Sequence, residues 1–216
     1  MSRIYLIRHG QTAWNKEEIF RGTIDVPLDD YGKKQAAALG KALQIRNLKD
    51  PLFFSSPLKR AAETAQIAAS FLDCGFVTEQ AFTDLNFGRW QGQAKTEIAR
   101  LYPDLFRQWL TEPQEIVFPG GGSLAEVTER AEAALYRLAQ KNQNRDLVIV
   151  THRVVTKVLL CRLLGAGLSA FWKIKQDTTC LNVLEYSGSA FVVESMNDTC
   201  HLLPLRSKKF LNLNNR

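Results

Sequence analysis

Histidine is scarce in this 216-residue chain, which has only three, and neither an H-x-x-x-H spacing nor a C-x-x-C pair occurs to make a metal or redox motif. Cys74, Cys161, Cys180 and Cys200 stand far apart, each in or near an apolar segment, which predicts burial as small hydrophobes and no disulfide framework. No apolar run approaches the length of a membrane span, so no membrane association is expected. Met1-Ser2-Arg3 leads straight into an apolar segment without room for a signal peptide, and the expected location is the cytoplasm. Pro/Gly/Ser-rich linkers, charge blocks, internal repeats and low-complexity stretches are also missing. With 45% hydrophobic residues the chain can fill one core, so a single domain over 1–216 is expected, ending in a basic tail over 202–216. The net charge of +6 favours an anionic partner, but the cations are spread along the chain without a basic patch carrying aromatic platforms. Nucleic acid is therefore not expected, and a small phosphorylated or carboxylated molecule suits the charge better.

What is present is an alternation of strand and helix patterns. Arg3 to Arg8, Pro51 to Ser55, Phe76 to Thr78 and Asp146 to Thr151 read as strands, the first and last with the apolar runs, 4–7 and 147–150, of central parallel strands. Helices are predicted from Tyr31 to about Arg46 with Asp30 as cap, from Ser56-Pro57 through Leu72, and from Thr96 to Leu110 with a break at Pro103. Two more follow, from Leu124 to about Gln140 and from His152 to about Leu164. Ser123 and Glu126 have the spacing of a capping box. Cys180 to Tyr186 and Ala190 to Ser195 form a hairpin across Ser187-Gly188-Ser189. This order predicts an α/β fold, a three-layer α/β/α sandwich whose central sheet is mainly parallel with one antiparallel edge strand.

Reactive groups follow three of the strands directly: Arg8-His9, then Lys59-Arg60 shortly after the second, then His152-Arg153. Chemistry in open α/β sheets collects beyond the carboxyl ends of strands, so these groups should meet on one rim. Two histidines among arginines make an anion pocket, because guanidinium groups bind phosphate oxygens bidentately and imidazole adds hydrogen bonds. A histidine held beside a guanidinium there suits nucleophilic attack on phosphorus. The same arginines would repel a divalent cation, so neither a metal nor another cofactor is expected. His201 has no such setting and reads as structural or exposed.

Six ordered segments carry a resemblance. They are Leu6-Ile7-Arg8-His9-Gly10-Gln11-Thr12-Ala13-Trp14-Asn15, Gly22-Thr23-Ile24-Asp25-Val26-Pro27-Leu28, Tyr31-Gly32-Lys33-Lys34-Gln35-Ala36, Ser55-Ser56-Pro57-Leu58-Lys59-Arg60-Ala61, Phe87-Gly88-Arg89-Trp90-Gln91-Gly92 and Val150-Thr151-His152. Over about the first 190 residues the chain resembles the histidine phosphatase superfamily, the group that includes the phosphoglycerate mutases, and more closely its phosphatase branch. The resemblance implies a metal-independent phosphomonoesterase acting on a small phosphorylated metabolite. His9 would be the nucleophile that becomes phosphohistidine; Arg8, Arg60 and His152 would bind the phosphoryl oxygens. Asn15, Gln11, Thr12, Gly22 and Thr23 would complete the substrate pocket. The general acid of the family, usually glutamate, falls on Asp84, a side chain one methylene shorter that could instead be a turn residue.

Two further departures bear on the substrate. Arg21 stands where the family often has glutamine and could hold a second acidic group, and Gly122 replaces a frequent glutamate, which makes the rim more positive. Phe106, Trp109 and Tyr102 could cover an apolar part of the substrate or belong to the core. The resemblance leaves phosphorylated sugars, glycerates, phosphoserine and α-ribazole phosphate open as substrates, and a homodimer is compatible with it. Competing functions are a mutase-type phosphoryl transfer, which the short path from Trp90 to Trp109 does not resemble, and a non-catalytic anion-binding regulator.

Overall fold

The computed structural model describes residues 2–205; the part of the expected basic tail beyond 205 lies outside them. β1 (Ser2–Arg8) is followed by a single helical turn, α1 (Ala13–Lys16), and by α2 (Asp30–Ile45). Next come β2 (Leu52–Ser55), α3 (Lys59–Ser70) and the short β3 (Phe76–Thr78). α4 (Lys95–Leu101) and α5 (Pro103–Thr111) precede the long α6 (Leu124–Lys141). β4 (Leu147–Thr151), α7 (Arg153–Leu163), β5 (Leu181–Tyr186) and β6 (Phe191–Asp198) complete the fold.

The six strands lie in the order β3-β2-β4-β1-β5-β6, with β3, β2, β4 and β1 parallel and β5 antiparallel to both its neighbours. The expected antiparallel element is thus the β5–β6 hairpin that closes one side of the sheet. Successive side chains of a strand point to opposite faces, and the middle stretches of both central strands, 4–7 and 147–150, are apolar at every position, so they feed two cores. Ile4, Leu6, Leu147 and Ile149 join a cluster with Leu135, Val155, Val158 and Leu159 of α6 and α7. Tyr5, Ile7, Val148 and Val150 join another with Leu39 and Leu43 of α2 and Ala61, Ala65 and Ala68 of α3. The sheet is therefore the middle of three layers.

Helix starts follow local chemistry, with two corrections to the sequence reading. α2 is capped by Asp29, whose Oδ1 accepts from Gly32 N at 2.7 Å, so Asp30 moves into the first turn, where a carboxylate favours the positive end of the helix. α3 starts at Lys59 and not at Ser56-Pro57, because Ser56 N still bonds Val150 O at 3.0 Å and so extends the β2 ladder. That delay sets Arg60 in the first turn of α3, facing the sheet ends. The capping box at Ser123 and Glu126 is present and contributes about 1 kcal/mol to the start of α6. Cys161 and Cys180 are buried as expected, and Cys74 is half-buried. Cys200 is exposed, because it opens a 3-10 turn at the surface where its N–H is capped by Asp198 Oδ1 at 2.8 Å.

Candidate active site

Register brings the histidines together. β1 and β4 are adjacent and parallel with Arg8 opposite Thr151, so His9 and His152 leave the sheet side by side, their ring centres 5.3 Å apart. His9 N bonds Thr151 O at 2.8 Å, which ties the first residue beyond β1 to the end of β4. β2, on the far side of β4, ends level with them and supplies Ser56 and then α3.

The two rings are held in defined orientations. His9 Nδ1 lies 2.6 Å from Gly10 O, a carbonyl that can only accept, so Nδ1 carries the hydrogen and Nε2 keeps its lone pair. His152 Nε2 lies 2.7 Å from Ser56 Oγ, which in turn accepts from Leu58 N at 3.3 Å. The carboxylate oxygen Asp84 Oδ2, 3.7 Å from His152 Nδ1, favours the hydrogen on Nδ1, so the Ser56 hydroxyl donates to Nε2 and Nδ1–H is left as a donor into the site. Ser56 was in the sequence motif, but nothing local marked it as the partner of a histidine almost a hundred residues later.

Around His9 sit three anchored guanidinium groups. Arg8 donates Nη1 to Gln176 O at 2.6 Å. Arg60, fully buried, donates to Gly22 O at 2.7 Å and Ile24 O at 3.0 Å and pairs with Asp84 Oδ2 at 3.1 Å. Arg21, from the loop after α1, donates Nη1 to Thr12 Oγ1 at 3.4 Å. Its Nε is buried and the side chain lines the same cavity as Asp84, so it is not a solvated loop residue. Beside His9, and among the described residues, four buried nitrogens make no hydrogen bond: the Nε of Arg8, Arg21 and Arg60 and the Nδ1 of His152. Buried donors are rarely left so, and four around one imidazole form a socket for an anion rich in oxygen.

The electrostatics agree. Burial, and then repulsion by Arg153, push the Arg8 guanidinium down to about 10; burial, and then Arg8, push Arg21 down to about 9. Burial first and Arg60 next hold His9 well below its ordinary 6.5, and His152 is lowered by the same two causes. Both imidazoles are therefore neutral at pH 7, the form in which nitrogen is nucleophilic.

The remaining residues divide. Asn15, Gly22 and Asp84 line a cavity of about 210 Å³ above the socket, with Phe106, Trp109 and Trp172 among its walls. Asn15 Oδ1 accepts from Thr12 N and Thr12 Oγ1, which leaves its Nδ2 donor for a ligand. Gly22 holds a φ of +53° and a side chain there would strike Gln91, so only glycine lets this loop approach Arg60. Gln11 and Thr23 are engaged elsewhere: Gln11 Nε2 donates to Asp29 Oδ2 at 2.8 Å, and Thr23 Oγ1 bonds Gln91 Oε1 at 3.0 Å. Asp84 directs Oδ2 to Arg60 and to His152 Nδ1, 3.7 Å away, while Oδ1 accepts from Leu85 N at 3.0 Å. Trp109 belongs to the core and Phe106 packs against it, as one of the two expectations had it, and both also line the cavity. Trp172 comes from a 3-10 turn, Leu168–Lys173, that no motif announced.

Neutral burial has a measurable cost. The unfolded chain takes up protons on both histidines below pH 6.5 while the folded one does not, so stability falls as pH drops from 6.5 towards the lowered folded values. Each contributes a loss of up to about 1.4 kcal/mol per pH unit. Chemical denaturation at pH 7.5, 6.0 and 5.0 should show a shallower acid decline for His9→Asn than for the wild-type chain; equal slopes would mean that His9 accepts a proton in the folded state.

The family model of the histidine phosphatase superfamily, branch 1, matches residues 4–199. Phosphoserine phosphatase 1 of Hydrogenobacter thermophilus is 34% identical over 202 residues, covering 94% of this chain and 95% of that protein. A metal-independent phosphoserine phosphatase of Arabidopsis thaliana is 28% identical, covering 94% of this chain and 84% of its own length. The solved structure of a phosphoserine phosphatase mutant from Entamoeba histolytica in complex with phosphoserine superposes with a TM-score of 0.84 at 27% identity, over 94% of this chain and all of that one.

Proposed function

We propose, on the premise that this chain belongs to branch 1 of the histidine phosphatase superfamily and is a phosphoric monoester hydrolase acting on a small phosphorylated metabolite, that it works through phosphohistidine at His9 without a metal. The observation that carries this reading is the set of four unpartnered buried nitrogens around a neutral imidazole whose Nε2 is free. In phosphoryl transfer the three equatorial oxygens carry the charge, and positioned cations neutralise it where a metal otherwise would.

His9 Nε2 attacks phosphorus as the P–O ester bond breaks, while Arg8, Arg21, Arg60 and the Nδ1–H of His152 hold the oxygens. The departing alkoxide takes a proton from the Asp84 carboxyl. Water then attacks phosphohistidine, Asp84 takes its proton back from that water, and the P–N bond breaks to release inorganic phosphate. Every one of these groups comes from one chain, so the chemistry is complete in a monomer. Four free thiols, one of them exposed, suit a reducing cytoplasmic setting.

The test is phosphate release from a panel of phosphate monoesters in excess chelator, with acid quench and peptide mapping. Acid-labile phosphate on the peptide containing His9 and undiminished turnover in chelator are expected. Activity lost in chelator, isomerised ester without free phosphate, or no release from any ester would each overturn the reading, the last in favour of an anion-binding regulator.

A further inference from the structure

One cation in the cavity wall has no part in the phosphoryl chemistry. Arg153 opens α7 directly after His152, lines the cavity, and sets its guanidinium carbon 5.9 Å from the Trp172 ring centre. The guanidinium groups of Arg8, Arg21 and Arg60 are each anchored by at least one hydrogen bond within the protein. Among the described residues, no hydrogen bond or ion pair holds that of Arg153. Its environment is unfavourable to a lone charge: burial lowers it, and the Asp84 and Glu18 charges only partly offset that loss. Trp172 is itself fixed, donating Nε1 to Trp109 O at 2.6 Å, so the guanidinium lies over a ring that is held in place.

A second cation lies one helical turn along. Lys157 Nζ sits 4.6 Å from the Phe171 ring centre and 4.5 Å from that of Trp172. Two like charges four residues apart on one helix repel, and each is partly withdrawn from water. Burial and Arg153 push Lys157 down to about 7. An anion seated against Arg153 relieves both terms. Since Arg153 lines the same cavity as Asn15, Arg21 and Asp84, that anion sits a short chain away from the phosphoryl group.

We propose that Arg153 binds a carboxylate of the substrate, so that the enzyme's substrate class is the phosphate monoester of a small hydroxy acid or amino acid and not of a neutral alcohol or sugar. This rests on the phosphatase reading above and narrows it. Guanidinium and carboxylate match as a planar, bidentate pair, and in a half-desolvated wall such a pair discriminates strongly against a ligand that lacks the acid. Trp172 acts behind Arg153 as a positioning residue.

The experiment compares O-phosphoserine with O-phosphoethanolamine, which differs by the carboxylate alone, and uses p-nitrophenyl phosphate as a measure of the chemistry. The wild-type chain should favour phosphoserine in kcat/KM, and Arg153→Gln should lose at least about 30-fold on phosphoserine, mainly through KM. The same variant should lose under about 3-fold on the two esters without a carboxylate, and Arg153→Lys should recover part of the loss, since an ammonium keeps the charge without the fork. Equal losses on all three esters, or a wild-type chain indifferent to the carboxylate, would overturn the assignment. Failure of the phosphatase reading looks different, as no release from any ester. Calorimetry on His9→Ala reads the same comparison without turnover. Phosphoserine should bind more tightly than phosphoethanolamine, with the gap closed in His9→Ala/Arg153→Gln; a gap that persists also counts against Arg153.

Discussion

Replacing His9 with alanine is expected to abolish phosphate release from every ester the enzyme accepts, a loss on the order of 10⁴-fold or more in kcat. The size follows from the absence of a substitute. Among the groups at the mouth of β1, Arg8, Arg21 and Arg60 are donors only, and His152 has its Nε2 lone pair engaged by Ser56 Oγ at 2.7 Å. His9 Nε2 is the one nitrogen with a free lone pair facing the socket. Truncation removes one hydrogen bond, from Nδ1–H to Gly10 O, and leaves the three guanidinium groups on their own anchors. The variant should therefore stay folded above pH 6.5 and still bind inorganic phosphate or vanadate, while it forms no acid-labile phosphoprotein. Activity above about 1% of wild type would place the nucleophile elsewhere, and lost anion binding would mean that the imidazole shapes the socket as well as reacting in it.

How much of this was legible beforehand depended on whether the signal was local. β1 and β4 read clearly because central parallel strands are apolar on both faces, and the histidines that follow them were conspicuous for that reason. Their meeting point was not local: it depends on β1 and β4 being neighbours with Arg8 opposite Thr151, a pairing across more than 140 residues that no spacing in the sequence encodes. The start of α3 was misplaced because Ser56-Pro57 has the local pattern of a helix N-terminus while the β2 ladder claims Ser56 first. Gln11 and Thr23 lie within motif segments, yet their side chains bond Asp29 and Gln91, partners that sit on other loops and that no local spacing marks. Arg21 was ambiguous in sequence because a loop arginine is as often solvated as buried. Only the fold shows it lining the same cavity as Asp84, with Nη1 on Thr12 Oγ1. Trp172 and Ser56 had no independent sequence signal, because each acts through a residue supplied by another element.

Asp84→Asn is the substitution that separates a proton donor from a structural anchor, and its effect should depend on the leaving group. Asparagine keeps an oxygen to accept from Arg60 Nη2, now 3.1 Å from Asp84 Oδ2, so the Arg60 side chain stays in place with its bonds to Gly22 and Ile24. What disappears is the transferable proton. On an alkyl phosphate, whose alkoxide cannot leave unprotonated, phosphorylation of His9 should slow by about 10²- to 10⁴-fold. On p-nitrophenyl phosphate, whose anion leaves without help, the same step should slow by under about tenfold. Breakdown of phosphohistidine should slow in both cases, because water needs the same carboxylate as a base. With the nitrophenyl ester this predicts a burst of nitrophenol matching the enzyme concentration, followed by slow turnover and accumulation of acid-labile phosphate on His9. Rapid-quench measurements resolve the two steps. Equal slowing of phosphorylation on both esters would make Asp84 an electrostatic brace for Arg60 and His152, consistent with its 3.7 Å approach to His152 Nδ1. No slowing of either step would return Asp84 to a turn residue, its Oδ1 bonded to Leu85 N, and require the proton to come with the substrate itself.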